Sequence, residues 1–178
     1  LTASSSGTLS FVHGTDGVVL DSTYPIYKFE FINMHPATDN VQFLFNMSSD
    51  SGSNYNVTKT TTYFLAEHNA TGGSANLSYQ SAKDLAQSTD FQKLMTDLGN
   101  AADENLSGYL TIYNPSSTTF AKNFMSRTNA QAYSATNISF DNYIAGYGNT
   151  TSAVDAIQFK MSSGTFDGVI KLYGIKDS

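Results

Sequence analysis

The chain has 178 residues, a net charge of −6, only 13% charged residues and no cysteine. Its length suits one domain with one core; its nine Lys and Arg are scattered and supply no basic stripe for nucleic acid. The absence of Cys removes a disulfide framework, a thiolate nucleophile and Cys-based zinc, and no apolar run approaches the roughly 20 residues that a membrane-spanning helix needs. Tyr (11) and Phe (12) are plentiful, and Ser, Thr and Asn dominate the polar positions. That mixture favours pleated, half-buried surfaces over long helices, whose exposed faces usually carry Glu, Lys and Arg.

Leu1 is not preceded by an initiator Met or a signal region, which reads as trimming, processing or a numbering that starts at an ordered point. Residues 1–7, with the small run Ser4 to Gly7, read as a flexible or anchoring arm. Thr8 to Val12 alternates as a first strand before the turn pair Asp16-Gly17. After Pro25, Ile26 to Asn33 is the clearest strand, with Tyr27, Phe29 and Phe31 on one face and Lys28 and Glu30 on the other. His35 to Asn40 interrupts it. Val41, Phe43, Phe45 and Met47 then line one side of the next strand, opposite Gln42 and Asn46, and the two read as adjacent antiparallel strands.

Ser48 to Asn56 is a polar loop, and Thr60 to Ala66 a further strand. Glu67 to Leu106 is ambiguous. It opens with the Gly72-Gly73 breaker and holds Leu85, Phe91, Leu94, Met95 and Leu98 near helical spacing, so residues 82–98 form either one short helix or part of an irregular connection capping the fold. Gly108 to Asn114 and Thr118 to Ser126, joined by the turn Pro115-Ser116-Ser117, predict a hairpin carrying Phe120 and Phe124. Tyr133 to Phe140, Asn142 to Tyr147, Asp155 to Met161 and Val169 to Ile175 complete about nine or ten short strands, which predicts an all-β, antiparallel, jelly-roll-like β-sandwich in a single domain. In the last strand Val169, Lys171 and Tyr173 share one face, Ile170 and Leu172 the other, and Gly174 allows a bend or close packing.

Catalytic patterns are sparse. His13, His35 and His68 lie far apart in sequence with no ligand spacing, no G-x-S-x-G elbow or phosphate-cradling glycine loop occurs, and the acidic pair Asp103-Glu104 reads as a solvated loop rather than a glycosidase pair. No catalytic residue and no cofactor is predicted. Loop oxygens at Asp50, Ser51, Ser53, Asn54 and Asn56 offer a weak calcium candidate, chiefly Asp50, Asn54 and Asn56. Tyr24, Tyr55, Tyr79, Tyr143 and Tyr147, near loops, are the candidates for stacking on sugar rings, although Trp, with the largest stacking face, is absent. Asn-x-Ser/Thr triplets begin at Asn46, Asn56, Asn69, Asn76, Asn105, Asn137 and Asn149, and composition alone accounts for about half of them.

Three stretches carry a resemblance. The closing Gly168-Val169-Ile170-Lys171-Leu172-Tyr173-Gly174-Ile175-Lys176 resembles the C-terminal signature of a broad group of phage virion proteins, labelled tail-fibre-like and frequent in marine cyanobacterial phages. Tyr24 to Phe45, with its F-x-N-x-x-P-A-T-D-N centre, and Gly108 to Phe124, with Tyr-Asn-Pro-Ser-Ser-Thr-Thr, look like two further landmarks of that group in matching order. The resemblance implies a bacteriophage structural protein on the outer surface of the virion, extracellular after release, as tail fibre, capsid decoration or cement. It also implies a homo-oligomer, a trimer or a larger closed ring, touching other virion proteins, and it supplies no catalytic residues. A lectin-like module attaching to a host-surface glycan is the alternative expectation. Neither nucleic acid nor membrane insertion is expected.

Overall fold

A computed structural model describes residues 1–133 and 137–176. Twelve strands form: β1 (Thr2–Ser6), β2 (Thr8–Val12), β3 (Ile26–Pro36), β4 (Val41–Ser48), β5 (Lys59–Asn69), β6 (Ala75–Tyr79), β7 (Gln92–Leu98), β8 (Leu106–Tyr113), β9 (Lys122–Ala132), β10 (Ile138–Gly148), β11 (Ala156–Met161) and β12 (Phe166–Ile175). All pairings are antiparallel, and the described residues contain no helix.

Continuous pairing runs β1-β12-β3-β8-β9-β10-β5-β6 on one side and β7-β4-β11-β2 on the other. The eight-stranded layer curls around the four-stranded one. At one seam Gly7 alone separates β1 in the first layer from β2 in the second; at the other, Leu98 of β7 pairs with Ala132 of β9. The result is an all-β antiparallel fold, sandwich-like and nearly closed as a barrel.

Alternation in the sequence becomes the core. Tyr27, Phe29 and Phe31 of β3 and Val41, Phe43, Phe45 and Met47 of β4 are all buried. Phe159 of β11 sits at the centre, its ring 5.2 to 6.4 Å from those of Phe11, Phe29, Phe31, Phe43 and Phe45. Edge-on and offset ring contacts of this kind stabilise beyond the area that they bury. Polar groups that enter the core are paired: the Tyr63 hydroxyl donates to Asn142 Oδ1 (2.7 Å) and Thr128 Oγ1 to the Leu94 carbonyl (2.5 Å).

Several expectations change. β3 and β4 are not hydrogen-bonded neighbours: β3 pairs with β12 and β8, β4 with β11 and β7, and Phe31 meets Phe43 across the core at 5.1 Å. No helix occupies 82–98. Backbone groups there bond along the edge of β5 instead, with Thr61 N–H donating to the Leu85 carbonyl and Lys59 and Ser88 exchanging both bonds, while Gln87 takes φ +49°. Gln92 to Leu98 is strand β7. Residues 1–7 carry β1, held to β12, with the Leu1 ammonium donating to the Ile170 carbonyl at 2.8 Å. Asn142 to Tyr147 belongs to one long strand, β10, that starts at Ile138; the expected strand from Tyr133 includes 134–136, which lie outside the described residues. The hairpin of β8 and β9 forms as read, but Phe120 lies in its loop, 71% exposed.

Candidate functional site

The outer face of the eight-stranded layer carries an ordered stripe. Inward-facing Tyr63 and Leu65 force Phe64 outward on β5, and the registers then set Glu30, Tyr109, Arg127, Tyr143, Phe64 and Tyr79 opposite one another in turn across β3, β8, β9, β10, β5 and β6. The parallel row beside it runs Lys28, Thr111, Met125, Ala145 and Thr62. Tyr109, Tyr143, Phe64, Tyr79 and Met125 are all exposed, Met125 most at 55%. Side chains opposite one another on one face lie close enough to interact: Phe64 and Tyr79 meet edge-on at 5.2 Å.

Charge on this stripe is internally matched. Arg127 donates to both oxygens of Asp141 (Nε to Oδ1 3.0 Å, Nη2 to Oδ2 2.7 Å), and the Tyr143 hydroxyl donates to Oδ2 at 3.0 Å. The Arg127 hydrogen bonds hold the Asp141 carboxyl below the usual carboxylate range; the carboxylate in turn pushes the Tyr143 phenol up. Arg127 also lies over the Tyr143 ring, 4.9 Å from its centre, and Lys28 over that of Tyr109 at 4.8 Å while pairing with Glu30 at 2.9 Å. Two shallow, overlapping depressions of about 300 and 350 Å³ follow the stripe, sharing Thr62, Met125 and Ala145. Flat rings with a matched ion pair beside them can stack on a planar or pyranose-like surface and hydrogen-bond at its rim.

Of the five tyrosines read as candidates, the structure brings Tyr79, Tyr143 and Tyr147 onto this layer, with Tyr147 lining the second depression. Tyr24 lies elsewhere, packed against Gly174 and edge-on to Tyr27 at 5.7 Å. Tyr55 sits in the loop between β4 and β5, its carbonyl accepting from Asn46 Nδ2. Phe64, Tyr109, Met125 and Arg127 were not among the sequence candidates; the alternation phase of their own strands is the signal that finds them.

In the weak calcium loop, Asp50 Oδ1 accepts from the Ser48 hydroxyl (2.6 Å) and the Asn54 amide, and Oδ2 from Asn54 Nδ2 (2.7 Å). These bonds lower the Asp50 pKa and close the turn on itself, with Asn56 exposed beside it. Asn46, the first of the Asn-x-Ser/Thr positions, is wholly buried and fully hydrogen-bonded. His13 Nδ1 accepts from Leu20 N–H, His35 Nδ1 lies 2.6 Å from the Glu104 carbonyl, and Glu104 turns back to accept from Ala101 N–H. No family model matches the chain, and neither a curated protein nor a solved structure shows significant similarity to it.

Proposed function

We propose that this domain is a non-enzymatic structural protein of a phage particle, standing on the outer surface as a fibre, decoration or cement component and working through contact between copies and with other virion proteins. The observation that carries this reading is the stripe of exposed aromatic and Met side chains on strands β8, β9, β10 and β5, paired in unbroken register, at which the one Arg is neutralised by its neighbour Asp141. Tyr, Phe, Met and Arg are the residue types enriched where proteins meet, and a rigid face keeps the entropy cost of docking low. The C-terminal stretch that resembles phage virion proteins supports the same setting and forms β12, next to β3 inside this layer.

Size-exclusion with light scattering at about 100 μM protein tests the assembly claim. A trimer or larger closed species of the 19.2 kDa chain is expected; a monomer throughout overturns it. A second reading, attachment to a host glycan, draws on the shared placement of Tyr79, Tyr143 and Tyr147. It requires glycan-array binding that Tyr143→Ala abolishes, because the ring facing the sugar is then gone.

A further inference from the structure

β6 closes the eight-stranded layer, and among the described residues it pairs with β5 alone, while the Tyr79 hydroxyl at its end donates to the Asp84 carboxylate. Gln80 N–H donates to the Tyr63 carbonyl (2.9 Å) and Asn69 N–H to that of Ser74 (3.1 Å), which fixes the phase of the ladder. Antiparallel pairs alternate between bonded and non-bonded, so Asn76 and Ser78 bond inward to β5, and the backbone groups of Ala75, Leu77 and Tyr79 project outward. Each strand therefore offers three N–H donors and three carbonyl acceptors along an open edge. Leu77 is 71% exposed and Tyr79 47%, both on the outer face.

Free edges template pairing with another strand, and proteins usually blunt them with Lys, Pro, a bulge or a covering segment. Ala75-Asn76-Leu77-Ser78-Tyr79 holds no charge and no Pro, and its register against β5 is unbroken. What completes such an edge is an extended backbone. A chain of net charge −6 tends to repel its own copies, and this strand brings no charged residue of its own to a meeting of two, the adjacent Asp84 carboxylate being held by the Tyr79 hydroxyl.

We propose that β6 pairs antiparallel with β6 of a second copy across a two-fold axis at Leu77, fusing the two layers into one continuous sheet. Leu77 is the middle residue of the strand, so the two-fold sets it against itself and sets Ala75 against Tyr79 of the second copy. All outward backbone donors and acceptors are then satisfied, and the small Ala75 leaves room for the Tyr79 ring, which packs edge-on against Phe64 and is anchored through its hydroxyl to Asp84. The contact is isologous: it joins copies in pairs, or joins two rings face to face. This pairing rests on the reading of the chain as an assembling protein and specifies how its copies meet.

Because the chain lacks cysteine, single cysteines report the register directly. In the proposed pairing, residue 76 opposes residue 78 of the other copy as a non-bonded pair about 4.5 Å apart between Cα atoms, whereas 78 and 78 lie on a diagonal of about 8 Å, beyond disulfide reach. Asn76→Cys and Ser78→Cys chains, mixed and oxidised, are expected to cross-link at least about tenfold more than either alone. Leu77→Lys, checked for an unchanged far-UV spectrum, is expected to halve the mass seen by light scattering. An oligomer that persists in Leu77→Lys, with no excess cross-linking in the mixture, overturns the β6 contact and leaves the assembly reading standing. A chain that is monomeric without the substitution overturns both, and cross-linked dimers with nothing larger support the contact and overturn the closed ring.

Discussion

Lys59 is wholly buried beneath the loops that close one end of the fold, with no carboxylate in contact. Its Nζ donates to Asn46 Oδ1 (2.6 Å) and the Val57 carbonyl (2.7 Å), and Asn46 Nδ2 reaches on to the carbonyls of Tyr55 and Thr89. One ammonium and one amide thus tie two irregular segments to the back of β4. Lys122 does similar work nearby, donating to the carbonyls of Ser117, Phe120 and Thr150. Burial lowers the Lys59 pKa from 10.5 to about 8. Between those values the unfolded chain binds more protons than the folded one, so stability rises with pH across the window; the full cost is present below pH 8. The shift corresponds to roughly 3 kcal/mol by pH 10.5. Lys59→Met removes the titration, so urea unfolding of the two proteins at pH 7 and pH 10 is expected to show the parent gaining on the variant by a large part of that amount. Equal pH dependence in the two would show that Lys59 is not desolvated.

At the scale of the strand, close approach decides what a position tolerates. A Cβ at Gly108 would collide with the Arg127 carbonyl oxygen and lie 2.7 Å from Thr128 Cα, both backbone of the neighbouring β9. Gly108→Ala is expected to cost about 2–3 kcal/mol in chemical denaturation, because backbone cannot rotate aside as a side chain does. An effect near zero would mean that β8 and β9 stand farther apart. β3 from Ile26 to Ile32 and β12 from Val169 to Tyr173 were legible in the sequence because a period of two survives along those stretches, and β4 because Val41, Phe43, Phe45 and Met47 keep that period although its other face is largely buried too. β7 was not. Register shifts against β4 bury Leu94 and Met95 together, and with Leu98 they reproduce the i, i+3, i+4, i+7 spacing from Phe91 that reads as a helix. β10 was read as two strands, ending at Phe140 and restarting at Asn142, yet the chain runs on through Asp141, with Asn142 a buried partner of Tyr63 and Asp141 a half-buried partner of Arg127. Partner choice was hidden too: Phe31 and Phe43 alternate identically whether their strands are bonded neighbours or face each other across a core. On the eight-stranded layer, Tyr79 and Tyr143 are exposed and Tyr147 half-buried, all three singled out in the sequence by their nearness to loops, whereas Phe64 was hidden inside the run Tyr63-Phe64-Leu65, which looks uniformly buried until its phase is fixed by neighbours.

For the molecule as a whole, the two layers hold together mainly through what lies between them. The seams are narrow, Gly7 on one side and the Leu98–Ala132 bridge on the other, while Phe159 joins Phe11, Phe43 and Phe45 of its own layer to Phe29 and Phe31 of the opposite one. Neither layer has a second apolar surface of comparable extent to turn to, so each exposes its inner rings when the other leaves. Unfolding is therefore expected to be a single transition, with near-UV and far-UV circular dichroism superimposing. Phe159→Ala opens a cavity touching both layers, at an expected cost of roughly 3–5 kcal/mol. If the layers form one cooperative unit, the variant's two signals still coincide at its lower midpoint. Loss of the near-UV signal well before the far-UV signal would instead show that β7-β4-β11-β2 detaches while the larger sheet persists, and that the core rings do not couple the two.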